Sequence, residues 1–341
     1  MATLASASVA ASGATAHPVG ALVVTKGRAV KQIAAEGRRL VWETGPLEGG
    51  SSLPTLYGRK LGGPRRLLIR NVNTSYGLGL AAGWALYAGP GARTPLTAIA
   101  PDGSHRIVLS HWLAAPFVTR GRLAAWIEQH GRRQKVVVRN MRTGRVLLAA
   151  MPPRCQQGHC FQIEEVALAD RGVVFTRDST NPDFSLVVRI PFASRKPSSV
   201  RIPGDPQPDL APSSAGALYY VLRRGWYRWG FGRKPRRTPF RANPPAPLLG
   251  YEHGRWLLST KRGCDYGVVA VTDGGRRTVV VSARSLERLL PARPRRCVLL
   301  QATAWIGAQP LTAWALVPEK SSEEHSDRGL VGVGFAGKRL R

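Results

Sequence analysis

The chain has 341 residues, long enough for one large domain with a sizeable core. Its 50 Lys and Arg stand against 20 Asp and Glu, a formal net charge of +30 that sets up a strong positive field and attracts polyanions. No run of about 18 apolar residues occurs, which excludes a membrane-spanning helix from the mature chain.

Residues 1–16, MATLASASVAASGATA, are small and apolar and end in Ala14-Thr15-Ala16 before His17-Pro18. That ending matches the close of a secretory signal cleaved after Ala16, and it predicts a secreted or cell-envelope protein. The alternative for the same segment is a disordered Ala/Ser tail. Residues 17–341 read as a single domain. VGALVV at 19–24 is a strand expected to complete the last sheet of a ring, with Gly329–Phe335 as its partner.

A repeat follows, clearest in FVTRGRLAAWIEQHGRRQKVVVRNMRTGR from Phe117 to Arg145. Val-rich runs bounded by Gly and polar clusters are strand and hairpin signals. In this template Phe117 precedes Trp126 by nine positions, with Gly121 between them. The spacing recurs at Ile33/Trp42, Leu78/Tyr87, Val166/Phe175 and Leu210/Tyr219, and without the aromatic at Leu249/Leu258. A last copy offers Trp305 or Trp314. With Trp305, the step from Trp42 is 263 residues over six intervals, roughly 44 each. A period of about 40–45 residues with four strands per unit is a propeller signature. The reading is an all-β, single β-propeller of seven blades with four antiparallel strands each, six or eight being open. The Pro-rich joints Arg201–Pro212 and Thr238–Pro247 read as loops, because the repeat phase runs through them; the alternative is a domain boundary near Pro206.

Four cysteines fall in joints: Cys155, Cys160, Cys264 and Cys297. An even count in an exported chain reads as two disulfides, and the short loops favour 155–160 with 264–297 among three possible pairings. A metal site at Cys155, His159 and Cys160 would need a second set of ligands that the sequence does not show, so no metal is expected.

Between Asp209 and Glu252 there is no acidic residue. The same stretch holds Arg223, Arg224, Arg228, Arg233, Lys234, Arg236 and Arg237, interleaved with Trp226 and Trp229. Guanidinium forks hold phosphate or carboxylate, and aromatic faces stack on sugars and bases. These nine residues are the candidate ligand-binding set. The competing reading makes Trp226 and Trp229 core residues and the arginines a solvated hairpin. No nucleophile elbow, zinc-protease helix or P-loop is present, and no catalytic residue or cofactor is singled out. Glu164 and Glu165 are adjacent, so in a regular strand they point to opposite faces.

Units such as GRLAAWIEQHGRRQKVVVRNMRTGR resemble the blades of WD-repeat-like or TolB-like β-propellers of exported bacterial proteins, over roughly residues 33–318. The resemblance implies a rigid ring whose loops and channel bind a protein or polymer. The expected function is therefore a monomeric, non-catalytic exported binding module. Its partner would be an anionic cell-envelope polymer or a protein, with nucleic acid left open. One alternative is an envelope enzyme of glycosidase or lyase type with carboxylates in the channel; another is an interaction scaffold without a small ligand.

Overall fold

The nine-residue spacing is the register of a β-hairpin. Ile33 pairs with Trp42, Leu78 with Tyr87, Val166 with Phe175, and Leu210 with Tyr219. In each of the first three, the strands are joined by a two-residue turn, such as Ala82-Gly83 between Ala81 and Trp84. Both turn residues have positive φ, 49° and 81°, the mirror-image turn whose twist matches that of paired strands.

The computed structural model describes residues between 20 and 333, apart from segments of which the longest are 46–53, 89–94, 151–160, 239–247, 285–295 and 319–327. The expected signal remnant at 1–16, Cys155, Cys160 and Arg223 lie outside the described residues.

Seven antiparallel sheets form seven blades in a ring. Blade one is Ala29–Glu36, Arg39–Gly45, Thr55–Lys60 and Arg65–Ile69; blade two is Leu78–Ala81, Trp84–Tyr87, Leu96–Ile99 and Arg106–Ser110. Blade three is Val118–Arg120, Leu123–His130, Arg133–Asn140 and Val146–Ala150; blade four is Phe161–Ala169, Gly172–Ser179, Phe184–Pro191 and Ser198–Pro203. Blade five shows Gly216–Val221, Gly225–Gly230 and Arg236–Arg237. Its innermost strand is reduced to the Leu210–Tyr219 bridge, flanked by hydrogen bonds from the Ala211 N–H to the Leu218 carbonyl and from the Tyr220 N–H to the Asp209 carbonyl. Blade six is Leu248–Glu252, Arg255–Arg262, Asp265–Thr272 and Arg277–Val281.

Blade seven draws on both ends of the domain. Arg296–Ile306, Gln309–Pro318 and Arg328–Val333 are completed by Gly20–Lys26, which pairs antiparallel with Arg328–Val333. This confirms the expected closing strand, and the pairing protects an edge that would otherwise be free.

Among the described residues the core falls into seven hydrophobic clusters, one between each pair of successive blades. Trp42 packs between blades seven and one, Tyr87 between one and two, and Trp126 between two and three. Phe175, Tyr219, Trp256 and Trp314 fill the next four interfaces in turn. Each aromatic sits on a second strand and faces the preceding blade. Blade six carries its aromatic two residues before Leu258 and on the same face, at Trp256 opposite Tyr251. Blade seven uses Trp314 rather than Trp305: Trp305 lies on the first strand, opposite Pro310, and Trp314 on the second. A buried Trp N–H usually finds a partner, although the Trp42 Nε1 has none among the described residues. The Trp126 Nε1 donates to Glu128 Oε1 at 3.0 Å, and the Trp314 Nε1 donates to Thr312 Oγ1 at 2.7 Å.

Candidate channel and basic pocket

The first strands of the blades surround a cavity of about 540 Å³ on the ring axis, to which every blade contributes lining. Its walls carry four carboxylates, Glu36, Glu164, Glu165 and Glu252, and one cation, Arg120, in a protein of net charge +30. Glu164 and Glu165 both line it. The alternation expected of a regular strand fails because a bulge shifts the register between Ile163 and Val166, and a bulge re-aims side chains. Burial, with the nearby charges of Asp209, Asp178 and Glu164, holds the Glu165 carboxyl above the usual range. The Leu210 N–H, donating to Glu165 Oε2 at 2.6 Å, works against that shift.

Glu36 is occupied with the fold. Its carboxylate accepts from the Ala82 N–H at 2.9 Å and the Gly83 N–H at 2.6 Å, fixing the first turn of blade two against blade one.

At one mouth of the channel, where the first strands of blades three and six end, the ring is tied across itself. Arg120 ends the first strand of blade three, and Glu252 ends that of blade six. The Arg120 Nη1 donates to Glu252 Oε1 at 2.6 Å and its Nη2 to Glu252 Oε2 at 2.7 Å, while its Nε donates to Asp170 Oδ1 of blade four at 2.6 Å. The Glu252 side chain is only 3% exposed. Burial would favour a neutral Arg120, but the two carboxylates outweigh it and hold the guanidinium firmly charged. Backbone bonds tighten the same mouth: the Asp170 N–H donates to the Ser214 carbonyl, and the Ser214 N–H to the Tyr251 carbonyl.

Beside this mouth, between blades four, five and six, lies a second cavity of about 530 Å³. Arg228, Arg233, Lys234 and Arg236 line it together with Arg171 of blade four. Arg228 is held in place: Asp273 lies 3.4 Å from its Nη1, and its guanidinium stacks over Tyr251 at 4.9 Å and Trp256 at 5.6 Å. Asp273 is fixed in turn, accepting from the Tyr251 hydroxyl at 2.9 Å and the Trp256 Nε1 at 3.0 Å.

The structure thus brings together four members of the basic stretch and separates the others. Arg224 sits at the turn between the second and third strands of blade five, at the opposite face of the ring, and Arg237 alternates away from Arg236. Trp226 and Trp229 fall on opposite faces of one strand. Trp226 packs towards blade six, with its ring 5.5 Å from that of Tyr220. Trp229 packs towards blade four, is 4% exposed, lies under the Arg189 guanidinium at 3.9 Å, and donates from Nε1 to the Arg233 carbonyl. Arg171 escaped the sequence reading because it comes from the preceding blade; its only signal is a place in a tight turn.

The Cys264 and Cys297 sulfurs are bonded, with Cα atoms 5.3 Å apart. The bond ties a turn of blade six to the first strand of blade seven.

Against known proteins, no family model matches the sequence, and no curated protein does. Solved structures match in shape. The β-propeller domain of the Trilobed protease from Pyrococcus furiosus superposes with a TM-score of 0.61 at 8% identity, covering 93% of this chain and 98% of that one. Pyrococcus horikoshii acylaminoacyl peptidase superposes at 0.57 and 6% identity, covering 91% of this chain and 52% of that one. A prolyl endopeptidase superposes at 0.52 and 11%, covering 89% and 46%. This chain therefore spans about half the length of the two latter peptidases. The Pyrococcus furiosus propeller has an open velcro topology, whereas here the first strand pairs with the last.

These likenesses establish the propeller fold. They also correct the expectation of a free-standing, non-catalytic module for an anionic polymer, together with its glycosidase, lyase and scaffold alternatives. These three propellers belong to peptidases. Among the described residues, no helix is long and apolar enough to cross a membrane.

Proposed function

We propose that this chain is an enzyme-associated propeller whose axial channel receives extended peptide for a peptidase unit joined to it or bound by it. The observation that carries the reading is the cavity on the axis of a strongly basic ring, whose wall holds Glu164 and Glu165 beside the mutually paired Arg120 and Glu252. Low-dielectric walls with an excess of one sign of charge, here four carboxylates against Arg120, focus the field and concentrate the opposite charge. Such a channel selects peptide segments bearing Lys or Arg, although the outside of the protein repels them. The shared shape with peptidase propellers supports the peptide as occupant. An extracytoplasmic location belongs to the same proposal and is supported by the Cys264–Cys297 disulfide, a bond that persists in oxidising compartments.

The test is fluorescence anisotropy with short labelled peptides, one Lys/Arg-bearing and one Asp/Glu-bearing, on the wild type and on Glu164→Gln/Glu165→Gln. The basic peptide is expected to bind more tightly to the wild type and to lose about tenfold in affinity on the variant, equivalent to about 1.4 kcal/mol. Tighter binding of the acidic peptide, with the variant unchanged, would overturn the proposal.

A further inference from the structure

The cavity between blades four, five and six has a chemistry unlike that of the channel. Five cations line it: Arg171, Arg228, Arg233, Lys234 and Arg236. Its two acids are already engaged, Asp170 with Arg120 and Asp273 with Arg228, Tyr251 and Trp256. Arg171, Arg233, Lys234 and Arg236 are left with no carboxylate partner among the described residues. Like charges gathered this way repel one another, and folding keeps them together at a cost that a bound anion relieves.

We propose that this pocket is a binding site for a compact phosphate-bearing anion of at least two negative charges, such as a diphosphate group. A single charge would leave most of the cations uncompensated. The volume of about 530 Å³ lies within the usual range for small-ligand pockets, about 300–1,000 Å³. Planar guanidinium groups present paired donors that match phosphate oxygens. Arg228 is the pre-set member, because its ion pair and the two rings beneath it fix its plane before any ligand arrives. The exposed Arg233 and Lys234 face the anion from the turn between the third and fourth strands of blade five, and Arg236 from the start of the fourth strand. That turn is itself pinned by the Trp229 Nε1 bond to the Arg233 carbonyl at 2.8 Å. The wall from blade four adds Arg171, so the site exists only when successive blades are docked. The site is separate from the channel, and its test does not depend on the peptide reading.

Inorganic pyrophosphate is the probe, titrated by calorimetry at fixed ionic strength, with citrate as a second arm. The wild type is compared with Arg233→Ala/Arg236→Ala and with Arg142→Ala/Arg145→Ala, which removes the same charge from an exposed turn of blade three. Saturable binding of one pyrophosphate per chain is expected, weakened tenfold or more in the first variant and less than twofold in the second. An equal loss in both variants would make net charge the cause and overturn the site. So would the absence of saturable binding. Citrate binding as tightly as pyrophosphate would overturn the phosphate preference.

Discussion

Arg120 and Glu252 are 132 residues apart in sequence and meet fork to fork, at 2.6 and 2.7 Å, across the mouth of the channel. The pair makes the ring's diameter partly an electrostatic quantity, since blades three and six share no sheet and no hydrophobic cluster.

Removing one member of such a pair leaves a buried charge without its partner, which typically costs about 3–5 kcal/mol. Arg120→Ala is therefore expected to lower unfolding stability by an amount in that range, read from urea midpoints. The double variant Arg120→Met/Glu252→Met should recover a large part of the loss. If the single and double variants lose the same amount, the ion pair does not couple the two blades.

Glu43, on the second strand of blade one, is 3% exposed, and its Oε2 has no hydrogen-bond partner among the described residues. Burial pushes its carboxyl up to about 7, with Lys31 opposing. The unfolded chain ionises this group near 4.5, so between that pH and about 7 the unfolded state gives up a proton that the folded state keeps. Stability therefore falls as pH rises through this window, by an order of about 3 kcal/mol, and the loss persists above it. Glu43→Gln should remove the dependence: a more stable variant at about pH 8.5 and parity with wild type at about pH 4. An equal offset at both pH values would rule out titration as the cause.

Gly172 opens the second strand of blade four, under the turn of blade five. A Cβ there would stand 2.5 Å from the Ile190 carbonyl oxygen and 2.5 Å from Phe231 Cζ. The backbone oxygen cannot step aside, so Gly172→Ala should destabilise by about 1–3 kcal/mol through overpacking. Gly230→Ala is the control, since its Cβ would meet nothing nearer than the Ala215 oxygen at 3.6 Å. Thermal unfolding of the two variants side by side decides the matter, and equal midpoints would mean that blade five yields.

The Cys264–Cys297 bond closes a loop across a sequence separation of 33 residues. Loop-closure entropy for that length corresponds to about 4 kcal/mol at most. Cys264→Ser/Cys297→Ser should lower the melting temperature, and a reductant should lower the wild type towards the same value. A variant that melts with the wild type would make the bond incidental to stability.

The fold was legible because hairpin register is a local property. Ile33/Trp42 and Val166/Phe175 are nine residues apart in sequence and paired in the ladder for the same reason. Legibility weakened where the aromatic leaves the nine-residue spacing: in blade six it is Trp256, opposite Tyr251, and in blade seven Trp314, opposite Leu300 beside a shift in the ladder. The channel acids were hidden by the bulge between Ile163 and Val166, since strict alternation sends Glu164 and Glu165 to opposite faces. The clasp and the pocket depend on residues brought together from separate blades, and no spacing along the chain encodes them. In blade five, the run of basic residues was visible; which of them share a cavity depends on which end of a strand each turn occupies.

The pairing of Val24 with Leu330 bears on the order of assembly. Six blades are built from neighbouring stretches of sequence and can form as the chain is synthesised. The seventh must wait until residues 328–333 exist, while Gly20–Lys26, made before the six intervening blades, stays unmatched until then. Synthesis thus yields a ring with one gap, displaying strand edges, until the final strands dock. Slowed elongation after blade six would lengthen that vulnerable interval, and a chaperone able to cover a lone extended segment would act on residues 20–26 first.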